Sequence, residues 1–281
     1  MPRIAYVSGR YVPLHDAAVS IEDRGFQFAD GVYEVLALKR GTLLDVEAHM
    51  ARLNRSLGAI GMALPMSDAA LRAVIGETVR RNRLRDGLVY LQITRGTAPR
   101  DHAFPRSHPP ATVVVTLRPV KWAAIEARAQ AGVRVITLED LRWKRCDIKS
   151  VGLLPNVLAK EAARSKGAQE AWLVDSEGMI TEGASSNAWI VTVEGVLVTR
   201  ATGMDILAGV TREVILGLAA RRGVATQVRP FSLAEVRLAR EAFLSSATNH
   251  VMPVVEIDGQ PVGNGRPGPI TQALRQDYAA A

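Results

Sequence analysis

Two runs rich in β-branched residues, Leu88–Thr94 (LVYLQIT) and Ala111–Leu117 (ATVVVTL), read as strands, and the sixteen residues joining them (RGTAPRDHAFPRSHPP) restrict the fold most. A hairpin loop takes ~2–5 residues, so a connection this long inside a compact domain points to a loop with a task beyond reversing the chain. The flanking sequence mixes strands and helices without a strand–helix–strand rhythm: IAYV, VYEVLAL, a KRG turn and TLL, then helices over 46–60 and 67–82. The second helix carries Leu71, Val74, Ile75 and Val79 at helical spacing. After RPVKWAAIEARAQAG, read as a connector, come the strands VRVITL, EAWLVD, NAWIVT and VLVT and helices over 153–166, 210–222, 232–239 and 268–280. The expectation is a chain of α+β or α/β class with two mixed domains, 1–118 and 132–281, joined by a connector over 119–131.

Over 281 residues, 48% hydrophobic and 22% charged, the composition excludes collagen-like, disulfide-scaffold and largely disordered chains. No apolar run approaches the ~20 residues that span a bilayer, and MPRIAYVSGR has no signal-peptide core, so a soluble cytoplasmic protein is expected. Cys146 is the only cysteine, and His15, His49, His102, His108 and His250 show no metal-ligand spacing, so no metal is expected. The net charge of +7 raises a nucleic-acid-binding module as a distant alternative. The one dense basic patch, Arg80, Arg81, Arg83 and Arg85, falls at a helix end, where cations suit the dipole and face water.

Chemistry that needs a nucleophilic amine has six lysines to choose from: Lys39, Lys121, Lys144, Lys149, Lys160 and Lys166. Lys39 and Lys121 fall in a turn and the connector, and Lys160 and Lys166 point away from the Leu154, Val157, Leu158 face of their helix. Lys149 differs: in RCDIKSVGLLPN it follows a strand-like Leu141–Ile148 and precedes a helix, with Ile148 and Val151 close by. An amine partly withdrawn from water there is available to form a Schiff base. A second constellation, TEGASSN (181–187), suits a turn whose backbone and hydroxyls face a ligand, or an ordinary Ser-rich turn. In a third, ILAGVTRE (206–213), Gly209 precedes a helix with Thr211 in its first turn, which suits an anion or plain capping.

In this order, CDIKS, TEGASSN and ILAGVTR resemble the pyridoxal-phosphate-dependent aminotransferases of fold type IV, and the resemblance extends to FADGVYEV (28–35), HMARL (49–53) and FLSSATNHVMPVVEIDG (243–259). It implies two domains with the active site at their interface, pyridoxal 5'-phosphate as cofactor, and Lys149 as its Schiff-base lysine and proton carrier. It further implies Glu182 against the pyridine nitrogen, Arg52 as a phosphate clamp, and a cofactor cup including Ser185, Ser186, Leu207, Val210, Thr211, Ser246, Ala247 and Thr248. Many relatives carry threonine where this chain has Ala247, so that contact is left to the backbone. Trp143 is a further candidate neighbour of the site.

Within the family, the loop sequence PRDH resembles D-amino acid transaminases, which implies that Arg100 and His102, joined by Tyr33, bind the substrate carboxylate across a homodimer interface. The implied reaction moves an amino group between a D-amino acid such as D-alanine and a 2-oxo acid such as 2-oxoglutarate. Branched-chain aminotransferase and aminodeoxychorismate lyase are the alternatives, the lyase through the NHVMPV segment.

Overall fold

The computed structural model describes residues 3–280. The chain divides into two compact units, Met1–Lys121 with Ile148–Gly152, and Trp122–Asp147 with Leu153–Ala281.

In the first unit, strands β1 (Ile4–Val7), β2 (Arg10–Pro13), β3 (Gly31–Lys39), β4 (Thr42–Leu43), β5 (Gly87–Thr94) and β6 (Thr112–Pro119) form, among the described residues, a six-stranded antiparallel sheet in the order β2-β1-β6-β5-β3-β4. Helices α1 (Arg24–Phe28), α2 (Val46–Ala59) and α3 (Asp68–Asn82) complete the unit, the last capped by the Ser67 hydroxyl on Ala70 N–H at 3.2 Å. Strand alternation sorts the faces. Val32, Leu36 and Leu38, with Leu91, Ile93, Val113 and Val115, share one core with Met50, Leu53 and Leu57 of α2 and Leu71 and Ile75 of α3. Tyr33, Tyr90 and Gln92 alternate with those core residues and are half-buried on the opposite face.

Residues 148–152 dock on the edge of β3, where Tyr33 N–H donates to Lys149 C=O at 3.0 Å and Val151 N–H donates to Gly31 C=O at 3.1 Å. The strand-like reading of Leu141–Ile148 is therefore corrected: residues 140–147 make no ladder. Their charged side chains pair two residues apart, Arg142 with Asp140 and Arg145 with Asp147, which ties the segment to itself.

In the second unit, strands β7 (Val133–Glu139), β8 (Glu170–Val174), β9 (Ile180–Gly183), β10 (Asn187–Val191), β11 (Leu197–Thr199), β12 (Thr226–Val228), β13 (Glu241–Ser246), β14 (His250–Ile257) and β15 (Gln260–Pro261) form a nine-stranded sheet among the described residues. Its order is β12-β11-β10-β13-β14-β7-β8-β9, with β15 on β14; β7 runs parallel to β8 and β14, and β11 to β12. Helices α4 (Trp122–Ala131), α5 (Leu154–Ser165), α6 (Val210–Arg221), α7 (Leu233–Leu238) and α8 (Pro269–Ala280) accompany it, so most of the stretch read as a connector is α4. Alternation on β10 and β13 sends Trp189 and Phe243 into a core with Ile215 of α6 and Leu274 of α8, and Ile190 and Leu244 into one with Trp172 and Phe231.

Helix α5 departs from expectation. Its small residues Ala159 and Ala163 are buried against Ile136, Ala171 and Leu173, while Leu154, Val157 and Leu158 are 67%, 57% and 63% exposed. Alanine lets the helix approach the sheet closely, and the bulky stripe is left outside. Nor is Lys160 simply solvated: its ammonium donates to Gln169 C=O at 2.7 Å and lies 3.3 Å from buried Glu170.

Candidate active site

In the first unit, Lys149 and Tyr33 are brought together by the edge pairing of residues 148–151 on β3, with the Lys149 Nζ 4.3 Å from the centre of the Tyr33 ring. The Tyr33 ring in turn stacks on Tyr90 at 5.6 Å, and the Tyr90 hydroxyl donates to Gln92 Oε1 at 2.6 Å. Burial, with Tyr33 adding to it, pushes the Tyr90 phenol up to about 12. The sheet face opposite the helices thus carries an amine beside two phenols. Lys149 N–H is anchored by the Ser56 hydroxyl at 3.2 Å, which fixes where the side chain leaves the backbone.

On the core face of the same strand, Glu34 is fully buried among hydrocarbon, and α2 answers it with two donors. Arg52 forks onto it through Nε at 2.8 Å and Nη2 at 2.7 Å, and His49 Nδ1 lies 2.7 Å from it. Burial alone raises this carboxyl, but the Arg52 and His49 hydrogen bonds outweigh it and hold the group down at about 2. One turn of helix separates His49 and Arg52, so both reach one carboxylate. Arg52 is thereby oriented by a residue that sequence reading passed over, because a Glu in a strand of apolar alternation carries no sign of its partner.

Arg100 and His102 occupy the long loop, and both come to Phe28: the guanidinium lies 5.0 Å from the ring centre and the imidazole 5.4 Å. Gly96 at the loop's base has φ 90°, and a Cβ there would meet Pro110 C=O at 2.1 Å, so only glycine allows this closure.

In the second unit, Glu182 at the end of β9 is fixed from three sides. Asn187 Nδ2 donates to Oε2 at 3.0 Å, Leu207 N–H donates to Oε1 at 3.1 Å, and Arg142 Nη1 also donates to Oε1. Arg142 is itself held by Asp140 through Nε at 2.9 Å and Nη2 at 2.8 Å. Burial alone raises the Asp140 carboxyl, yet hydrogen bonds from Arg142 and Thr181 hold it below the usual carboxylate range. Arg142 and Asn187 are the partners of Glu182 that the sequence reading did not single out. Trp143, next to Arg142, is half exposed. Burial raises the Cys146 thiol to about 11, so it is protonated at neutral pH.

The hydroxyls of Ser185 and Ser186 donate to Glu170 at 2.7 and 3.1 Å and pin the turn from within.

The first turn of α6 carries no side-chain cap, because its N-cap is Gly209. Thr211 Oγ1 is buried there without a hydrogen-bond partner. Asn187 links this turn to the β13–β14 connection: its Oδ1 lies where a Gly209 Cβ would be, at 2.0 Å, and its backbone pairs with Ser245. Beyond Ser245, Ser246 Oγ lies 3.1 Å from Thr248 Oγ1, and Ala247 between them offers backbone only. An uncapped helix start, an unpaired buried hydroxyl and a nearby pair of hydroxyls fit the phosphate of pyridoxal 5'-phosphate. Among the described residues no cluster of three His, Cys, Asp or Glu side chains is arranged to hold a metal ion, and no helix is long and apolar enough to cross a membrane.

An amine on a sheet edge and a triply held carboxylate are groups that a transaminase uses, and residues 31–257 match the amino-transferase class IV family, to which the chain belongs. It is a fold type IV enzyme, and aminotransferases of this class work with pyridoxal phosphate. It is 42% identical over 268 residues to the D-alanine aminotransferase of Bacillus licheniformis, covering 95% of this chain and 93% of that one. The Staphylococcus epidermidis D-alanine aminotransferase is 38% identical over 274 residues, covering 97% and 95%. Among solved structures, the branched-chain aminotransferase of the archaeon Thermoproteus uzoniensis with norvaline superposes with a TM-score of 0.84 at 27% identity, covering 98% of this chain and 93% of that one. The Escherichia coli branched-chain enzyme gives 0.89 at 25%, covering 100% and 94%.

Proposed function

We propose that this protein is a D-amino acid transaminase, exchanging an amino group between a D-amino acid such as D-alanine and a 2-oxo acid such as 2-oxoglutarate, as a cytoplasmic homodimer. The observation that carries the reading is the convergence of Arg100 and His102 on one ring: a guanidinium and an imidazole donor two residues apart suit the two oxygens of a single carboxylate. The likeness to D-alanine aminotransferases supports it. The exposed stripe of Leu154, Val157 and Leu158 supports a partner copy, since monomers seldom leave such a patch to water.

Bound pyridoxal phosphate supplies the electron sink for the charge that develops at the substrate Cα. The Lys149 amine takes the Cα proton and returns it, and Tyr33 beside it keeps that amine over the sheet face. Glu182, held in place by donors from Arg142, Asn187 and the Leu207 amide, would face the ring nitrogen of the bound cofactor and stabilise its protonated form. Val210 and Thr211 would offer N–H groups and a hydroxyl to its phosphate, with Ser246, Ala247 and Thr248 as further donors, and Arg52, oriented by Glu34, is the cation assigned to it. Leu207 serves the ring-nitrogen end through its amide on Glu182, and Ser185 and Ser186 hold their turn through Glu170. With Arg100, His102 and Tyr33 binding the carboxylate, Lys149 reaches one face of Cα, which sets its hand.

The test is spectroscopic and kinetic. The purified protein should show an absorption band near the visible edge that fades with D-alanine and persists with L-alanine, and should turn over D-alanine with 2-oxoglutarate. Faster turnover of L-leucine would favour the branched-chain alternative, and cleavage of aminodeoxychorismate the lyase.

A further inference from the structure

Arg24 is a cation with only 2% of its surface exposed, and its fork reaches into the loop that carries Arg100 and His102. Its Nε donates to Asp30 Oδ2 at 2.8 Å, its Nη1 to Asp101 C=O at 2.6 Å and its Nη2 to His102 C=O at 3.4 Å. The two carbonyls belong to consecutive residues, so one planar group spans the backbone that sets the spacing between Arg100 and His102. Asp30 Oδ2 also accepts from Arg95 Nε at 2.8 Å, and Arg95 lies 3.7 Å over the Phe104 ring farther along the same loop. The anchor is shielded, with the Asp30 side chain only 7% exposed. Pairing of Arg24 N–H with Gly96 C=O at 2.9 Å and a bridge between Asp23 and Thr97 hold the loop's first residues to the same segment.

We propose that Arg24, braced by Asp30, is a positioning residue for substrate recognition: it holds the Asp101 and His102 carbonyls so that Arg100 and His102 present their side chains together to the α-carboxylate. The inference rests on the carboxylate reading above. A solvated loop as long as residues 95–111 samples many backbone states, and each state in which the two side chains are apart binds the carboxylate through one donor only. Pinning two consecutive carbonyls from a buried guanidinium removes those states before substrate arrives.

The experiment measures KM and kcat for D-alanine with 2-oxoglutarate in Arg24→Gln, Arg24→Lys, Arg100→Ala and the Arg24→Gln/Arg100→Ala double variant, with amide hydrogen exchange over residues 98–104. Arg24→Gln should raise the KM for D-alanine roughly ten-fold, the scale of charge-assisted hydrogen bonds, with kcat and the cofactor band nearly unchanged and loop exchange faster. Arg24→Lys should not restore KM, because one ammonium cannot bridge a carboxylate and two carbonyls as a planar fork does. In the Arg100→Ala background, Arg24→Gln should add less than about two-fold, since both changes remove the same interaction. A wild-type KM or wild-type loop exchange in Arg24→Gln, while Arg100→Ala raises KM, overturns the positioning role and leaves the carboxylate reading standing. Fully multiplicative effects in the double variant overturn it too. An unchanged KM in Arg100→Ala overturns the reading beneath it. Should Arg24→Gln not fold, Arg24→Lys carries the same comparisons, a wild-type KM there being the overturning result.

Discussion

Glu34 sits on the face of β3 that alternation reserves for hydrocarbon, and the fold tolerates it only because Arg52 and His49 meet it there. Glu34→Gln leaves the Arg52 guanidinium buried without its carboxylate and should cost about 3 kcal/mol, read as a fall in denaturation midpoint. Its pH dependence follows from the depressed carboxyl. The folded value of about 2 lies below the usual 4.5, so the stabilisation is complete above that usual value and is lost as pH falls from 4.5 toward 2. Melting curves of the wild type should drop through that window more steeply than those of Glu34→Gln. Thr211 makes the opposite case: a buried hydroxyl without a partner costs free energy, and the proposed phosphate contact would relieve that cost. Thr211→Val should therefore raise apoprotein stability by up to about 1 kcal/mol and weaken pyridoxal phosphate binding about ten-fold. Calorimetry of the apoprotein and a cofactor titration check the two signs, and a stability loss with unchanged cofactor affinity would remove Thr211 from the cup.

The element that matters most to the proposed cup is α6, whose start is open because Gly209 precedes it. Gly209 has an ordinary φ of −68°, so its backbone does not require glycine; the space does, since an added Cβ would displace Asn187 Oδ1. Asn187 cannot move freely, because its Nδ2 bonds both Glu182 and Leu207 C=O at 3.0 Å. Gly209→Ala should thus disturb the carboxylate and the phosphate end together. We expect cofactor affinity to fall about ten-fold or more, measured by equilibrium titration, because one displaced side chain loses two hydrogen bonds. Retained affinity would show that the turn relaxes by another route.

For the whole molecule, the stripe of Leu154, Val157 and Leu158 argues for a second copy of the chain. Leu154→Glu with Leu158→Glu should shift the protein from dimer to monomer in analytical ultracentrifugation without unfolding it, since both side chains face water in the single chain. If Arg100 and His102 act in the partner's site, mixing Arg100→Ala with Lys149→Ala protomers should restore activity, because each hybrid dimer then holds one site with both residues intact. No recovery after confirmed subunit exchange would place the loop in its own subunit's site. Most element positions were legible along the chain. The helices read as 153–166, 210–222, 232–239 and 268–280 occupy Leu154–Ser165, Val210–Arg221, Leu233–Leu238 and Pro269–Ala280, since local periodicity and caps determine where helices begin and stop. By itself the sequence also determined the family, through motifs that keep order and spacing over nearly the whole chain. Periodicity, however, tells which residues share a face and not what that face meets, so it marks the leucine stripe of α5 as core although two alanines pack inward. Only the tertiary structure decided the partners of buried charge. Glu34 and Arg52 lie 18 residues apart, Arg142 and Glu182 lie 40 apart, and Arg24 and Asp101 lie 77 apart. Such pairs form because a desolvated charge must find its complement wherever the folded chain brings one, and no local pattern records where that is.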